Sequence, residues 1–147
     1  DLSDVITVFE GYLDSLFYPN SIGLVGVNTD YKIIEGSGLE LRYFFDNDEA
    51  GYSKSEEKIK QGYPVFLWRK LFEDILQKKR PNDPMRFMHR ISKVKDINKL
   101  ATLSQDPYKS LTLDNYFSQD ELDIKWLPKK KSWKKDYNKK FDGFKHL

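Results

Sequence analysis

Apolar residues along this chain follow two rhythms, one of period two and one near 3.6, and the two take turns. VITVFEG (5 to 11) is a β-branched and aromatic run closed by a glycine, which predicts a strand and a turn. YLDSLFY behind it sets Leu13, Leu16 and Phe17 at helical spacing. SIGLVGV (21 to 27) predicts a second strand, and the polar stretch from Asn28 to Gly38 follows neither period. LELRYFF (39 to 45) alternates and then turns wholly apolar, as a central strand does. EAGYSKSEEKIKQG (49 to 62) predicts a charge-rich helix ended by Gly62. YPVFLW (63 to 68) predicts a strand with its proline near the start, where a missing donor is tolerated, and assigns Trp68 to the core.

RKLFEDILQKK (69 to 79) places Leu71, Phe72, Ile75 and Leu76 on one helical face, and PNDP (81 to 84) breaks the chain. RFMHRISKVK (86 to 95) predicts a strand running into Asp96, and INKLATL (97 to 103) a short helix. Strands alternating with helices define an α/β class with a mainly parallel central sheet flanked by helices. Residues 1–106 read as one catalytic-size domain, and residues 107–147 as an appendage with a short helix at 118 to 124 and a basic extension.

Composition narrows the setting. The chain has 147 residues, the size of one ordinary domain, and contains no cysteine, which excludes disulfides, a cysteine nucleophile and the usual structural zinc sites. A third of the residues are charged and no long apolar run occurs, so no membrane span is expected. The acidic start lacks a signal peptide's basic region, which makes a cytoplasmic setting the expectation. The chain enters an apolar run without an initiating methionine, as a piece of a longer protein would. Its charge is segregated: residues 1–124 sum to −5 and residues 125–147 to +7.

Three expected strand ends carry acids: Glu10, the pair Asp46 and Asp48, and Asp96. In an open α/β sheet, ligands bind at the carboxyl ends of the strands. Alternation along an extended segment would turn Asp46 and Asp48 to one side and Asn47 to the other, so that two carboxylates converge on one ion. A hard divalent cation relieves their repulsion, and a donor set without cysteine favours magnesium or manganese over zinc. The competing reading is a DND turn that only caps the next helix.

EGYLDS (10 to 15), FFDNDEAG (44 to 51) and KDIN (95 to 98), in that order, resemble the TOPRIM domain of primases and topoisomerases over about residues 4 to 104, most closely the phage-type primases. The resemblance implies a Rossmann-type TOPRIM fold. It also implies that Glu10 acts as general acid or base or binds metal, and that Asp46, Asp48 and Asp96 bind metal. Gly11 matches the turn glycine, Asp14 the acid one helical turn on, and Gly51 the glycine that admits the following helix. Asn98 stands where bacterial primases carry another Asp, so only the phage-like pattern is met there.

The implied chemistry is magnesium- or manganese-dependent phosphoryl transfer, with a ribonucleotide 3′-hydroxyl attacking and pyrophosphate leaving, to make RNA primers for replication. The implied partners are a single-stranded DNA template, ribonucleoside triphosphates and a replicative helicase, in a bacterial host's cytoplasm if the gene is a phage's. Two rivals keep the same fold: a TOPRIM nuclease that activates water with the same acids, and a non-catalytic nucleic-acid-binding module.

Lys54 and Lys58, one helical turn apart, and Lys95 are candidates for contacting nucleotide phosphates, or are simply solvent-facing. The tail interleaves lysines, among them Lys130 and Lys134, with Trp133, Tyr137, Phe141 and Phe144. That pattern suits phosphate neutralisation and base stacking, and equally a partner-docking helix or a solubilising tail. His89 and His146 have no partner pattern and receive no role.

Overall fold

The computed structural model describes residues 5–16, 18–24, 31–102 and 113–127. Five strands form one sheet: β1 (Val5–Phe9), β2 (Ser21–Gly23), β3 (Glu40–Phe44), β4 (Val65–Phe66) and β5 (Phe117–Ser118), in the order β2-β1-β3-β4-β5. The first four are parallel and β5 is antiparallel on the β4 edge. The chain runs from β1 outward to β2 and then crosses back to place β3 on the other side of β1. This is the strand order of a doubly wound, Rossmann-like α/β fold, whose ligand crevice opens where the order reverses.

β3 is the central strand. Phe9 pairs with Phe44 in register, which brings the residues just past β1 and β3 to the same level of the sheet. Side chains alternate across the pleat. Phe44 joins Phe9, Phe66, Trp68 and Phe117 on one face, while Tyr43 stacks on Phe45 and meets Tyr31 and Tyr63 on the other. Burial on both faces is why this run lost its polar alternation. Arg42 is the polar exception: it donates to Thr7 Oγ1 at 2.8 Å and to Asp114 at 2.8 Å, with its guanidinium 4.2 Å from the centre of the Phe117 ring.

The helices are α1 (Tyr12–Ser15), α2 (Tyr31–Glu35), α3 (Glu49–Lys60), α4 (Trp68–Lys79), α5 (Pro84–Ile91) and α6 (Ile97–Thr102). α3 stops because Gly62 takes a positive φ of 93°, allowing the Tyr63 N–H to reach back to the Lys58 carbonyl at 3.0 Å. Trp68 is buried as expected, though at the head of α4 rather than at a strand end, and its Nε1 donates to the Phe45 carbonyl at 2.8 Å. α2 falls in the stretch that followed neither period.

The expected strand over 86 to 95 is instead α5 and the loop after it. Asp83 caps that helix, accepting from the Arg86 N–H at 3.1 Å, and Pro84 occupies its first turn, where a missing N–H costs nothing. Phe87, Met88 and Ile91 form its buried face, a helical spacing that outweighs the β-branched residues downstream. Residues 113–127, assigned from sequence to an appendage, supply β5 and two 3-10 turns, with Tyr116 and Leu127 in the core. The short helix expected at 118 to 124 is the second of these turns, Glu121–Trp126. Among the described residues, no helix is long and apolar enough to cross a membrane.

Candidate metal centre

Three loops meet at the carboxyl edge of β1 and β3. The first begins at Glu10, directly after β1. Gly11 leaves space there: a Cβ at this position would lie 3.1 Å from Asp14 Oδ2, so its absence lets the Asp14 carboxylate fold back over the turn. Asp14 is only 8% exposed despite its charge.

The second loop follows β3. Because the strand ends at Phe44, strand alternation does not govern residues 46 to 48. The expected convergence of Asp46 with Asp48 is therefore replaced by a division of labour. Asp48 caps α3, its Oδ1 accepting from the Gly51 N–H at 2.7 Å, while its Oδ2 lies 4.0 Å from Lys95 Nζ. Asp46 turns toward the first loop, its N–H donating to Glu10 Oε1 at 3.3 Å. Gly51 is obligatory for this path, since a Cβ there would sit 1.9 Å from the Asp46 carbonyl oxygen.

The third loop joins α5 to α6 and carries Asp96. Asp96 Oδ1 accepts from the Lys99 N–H at 2.7 Å at the start of α6, so this acid reaches the site from a helix cap and not from the strand end expected. Asn47 fixes the loop: its N–H donates to the Lys95 carbonyl at 2.5 Å, and its Nδ2 donates to the Val94 carbonyl at 2.7 Å and the Ser92 carbonyl at 3.3 Å. The Tyr52 hydroxyl donates in turn to Asn47 Oδ1.

The result is a cluster of Asp14, Asp46 and Asp96, whose nearest carboxylate oxygens all lie within 4.8 Å of one another. Burial, then the charges of Glu10, Asp14, Asp48 and Asp96, push the Asp46 carboxyl up to about 7. Asp14 is also raised, by burial first and by Asp96, against a lowering hydrogen bond from the Asn98 backbone. Negative charge is thus concentrated here without compensation from the cluster itself. An all-carboxylate set of hard oxygen donors fits magnesium or manganese, and the cluster could hold such an ion.

Glu10 stands beside the cluster. Its Oε2 is paired with Lys54 Nζ at 3.3 Å; burial pulls the Lys54 pKa down, but Glu10, Tyr31 and Asp48 together leave it raised. Lys54 remains half-exposed at the rim. Lys58 is elsewhere: it is buried against the Tyr31 and Tyr43 rings and paired with Glu35 at 2.5 Å, which takes it out of reach of a ligand at the acids. The two lysines lie on the same side of α3, and the difference comes from what covers them: Lys58, one turn further from the acids, is enclosed by the Tyr31, Tyr43 and Tyr63 rings. Lys95 is exposed near Asp48. Lys130, Trp133 and Lys134 lie outside the described residues, as do Tyr137, Phe141, Phe144 and His146. His89 is exposed on α5.

Two participants were not singled out for these roles from sequence. Asp14 was matched only as a motif position, although an acid one turn beyond a strand-end glutamate can fold back when glycine separates them. Asn47 was set aside as the residue facing away from the acids, and that orientation is what lets it hold Asp96 in place. No family model matches the chain, and no curated protein or solved structure matches it.

Proposed function

We propose that this chain is the TOPRIM-type catalytic domain of a DNA primase, carrying out metal-dependent phosphoryl transfer to synthesise RNA primers on single-stranded DNA. The observation that carries the reading is the meeting of Asp14, Asp46 and Asp96 at the switch point between β1 and β3, with Glu10 hydrogen-bonded to the Asp46 backbone. The ordered motifs EGYLD, DNDEAG and KDIN each deliver one of these loops.

A bound magnesium or manganese ion would supply charge neutralisation and Lewis-acid activation for the transfer. Asp14, Asp46 and Asp96 would hold it, and Asp48 keeps the second loop shaped by capping α3. Glu10 would accept a proton from an attacking hydroxyl, a role supported by the contacts of its carboxylate with Lys54 and with the Asp46 N–H. Catalysis in this reading is positioning and electrostatics, so no nucleophilic side chain is required.

The test is ribonucleotide incorporation on single-stranded DNA by the full gene product, with magnesium or manganese. Synthesis that Asp14→Asn and Asp46→Asn each abolish is the expected outcome. Metal-dependent nicking without synthesis would move the protein to the nuclease class. Activity unchanged by both substitutions would leave a non-catalytic nucleic-acid-binding module.

A further inference from the structure

Residues 1–124 are acidic overall, yet residues 78–99 hold eight Lys and Arg against two Asp. The net +6 of this segment lies within the folded body, apart from the basic tail. Part of it surrounds a concavity of about 370 Å³ lined by Lys93, Lys95, Asp96, Asn98 and Lys99. All three lysines are exposed, and they come from the α5–α6 loop and the first turn of α6. Asp96 belongs both to this wall and to the acidic cluster, so the two features share an edge.

We infer that this concavity is a phosphate-binding subsite, in which Lys93, Lys95 and Lys99 take the phosphate oxygens of a ligand that reaches the Asp14–Asp46–Asp96 cluster. The volume falls within the range of small-ligand sites, at about 300–1,000 Å³. Its open shape suits an extended polyanion more than an enclosed apolar molecule. Three ammonium groups around one recess neutralise several phosphate charges, and Asn98 adds an amide that both donates and accepts. Carboxylates on one side and lysines on the other divide a phosphate chain between a cation and fixed positive charges. The phosphates are those of a nucleoside triphosphate or of a nucleic-acid strand.

This deepens the phosphoryl-transfer reading and rests on it for the ligand's role, while binding itself can be measured without metal. The probes are inorganic tripolyphosphate and a ten-nucleotide single-stranded DNA, each titrated into the full chain in chelator at low salt. The subsite predicts that Lys93→Ala/Lys99→Ala weakens at least one probe about tenfold or more, while Lys78→Ala/Lys79→Ala, at exposed lysines outside the recess, changes it less than twofold. Whichever probe shows the larger loss identifies the source of the phosphate. Circular dichroism and thermal melting confirm that both double variants fold. Absence of binding by either probe, or equal losses in the two double variants, overturns the inference. Asp46→Asn separates the two readings: it removes metal binding if the cluster is a metal site, and it leaves lysine-dependent tripolyphosphate binding in place.

Discussion

The Asn47 side-chain amide donates to the Val94 carbonyl at 2.7 Å, and through this bond the loop after β3 holds the loop that carries Asp96. The two segments are distant in sequence and share no strand pairing. Without the bond, Asp96 would be held only by the backbone bond from the Asn47 N–H to the Lys95 carbonyl and by its own cap to α6. Asn47→Ala should therefore cost about 1–3 kcal/mol, because it strips a buried carbonyl of its partner. It should also weaken manganese binding at the acids. Urea denaturation and a metal titration check the two effects, and a variant normal in both would show that Asn47 does not position the site.

Asp46 predicts an unusual response to pH. Its folded-state pKa, about 7, lies above the unfolded value near 3.8, so the folded protein binds more protons between those limits. Stability from this group is then lost as pH rises through that window, and the loss is complete above about 7. Asp46→Asn removes the penalty. A shift of this size corresponds to about 4 kcal/mol unscreened, and screening at a part-exposed site reduces the expected gain to about 1–2 kcal/mol. In metal-free buffer the variant should melt higher than the parent at pH 8 and at the same temperature near pH 3.5. An equal offset at both values would place its cause outside Asp46 titration.

Lys54 and Lys58 sit one turn apart on α3, yet their removal should differ in cost. Removing Lys58 leaves Glu35 beside three tyrosines with no cation, at a cost of about 2–4 kcal/mol. Lys54 is 42% exposed, and Lys54→Ala should cost about 0–1 kcal/mol. Chemical denaturation of the two alanine variants compares them directly, and equal costs would contradict the burial difference.

Gly51→Ala is the steric test of the second loop. The added methyl would fall 1.9 Å from the Asp46 carbonyl oxygen, which is backbone and cannot rotate aside. Either α3 or the Asp46 loop must move, costing about 1–3 kcal/mol or more. Differential scanning calorimetry should show a clear drop in melting temperature, whereas Gly62→Asn, at a positive φ that asparagine tolerates, should lose much less.

The strands around the site were legible because β3 announces itself twice, by alternation through Arg42 and then by the apolar run Tyr43 to Phe45. α5 was not, because the β-branched and basic residues after Met88 masked a helix signal held in Asp83 and Pro84. The acids at the ends of β1 and β3 could be read from sequence, since each follows an apolar run directly and ligands of an open α/β sheet bind at the carboxyl ends of its strands. Which carboxylates face one another could not. That depends on a cap at Asp48, a missing Cβ at Gly11 and a side-chain bond from Asn47, all set by loop geometry that hydrophobic periodicity does not encode.

The central claim is that Asp14, Asp46 and Asp96, drawn from three separate loops, form one cation site. Calorimetric titration of manganese into the full chain, and into Asp14→Asn and Asp96→Asn, tests it most directly. The account predicts one saturable site in the parent, with affinity lowered at least tenfold in each variant while both remain folded. Undiminished manganese binding in both variants would contradict it.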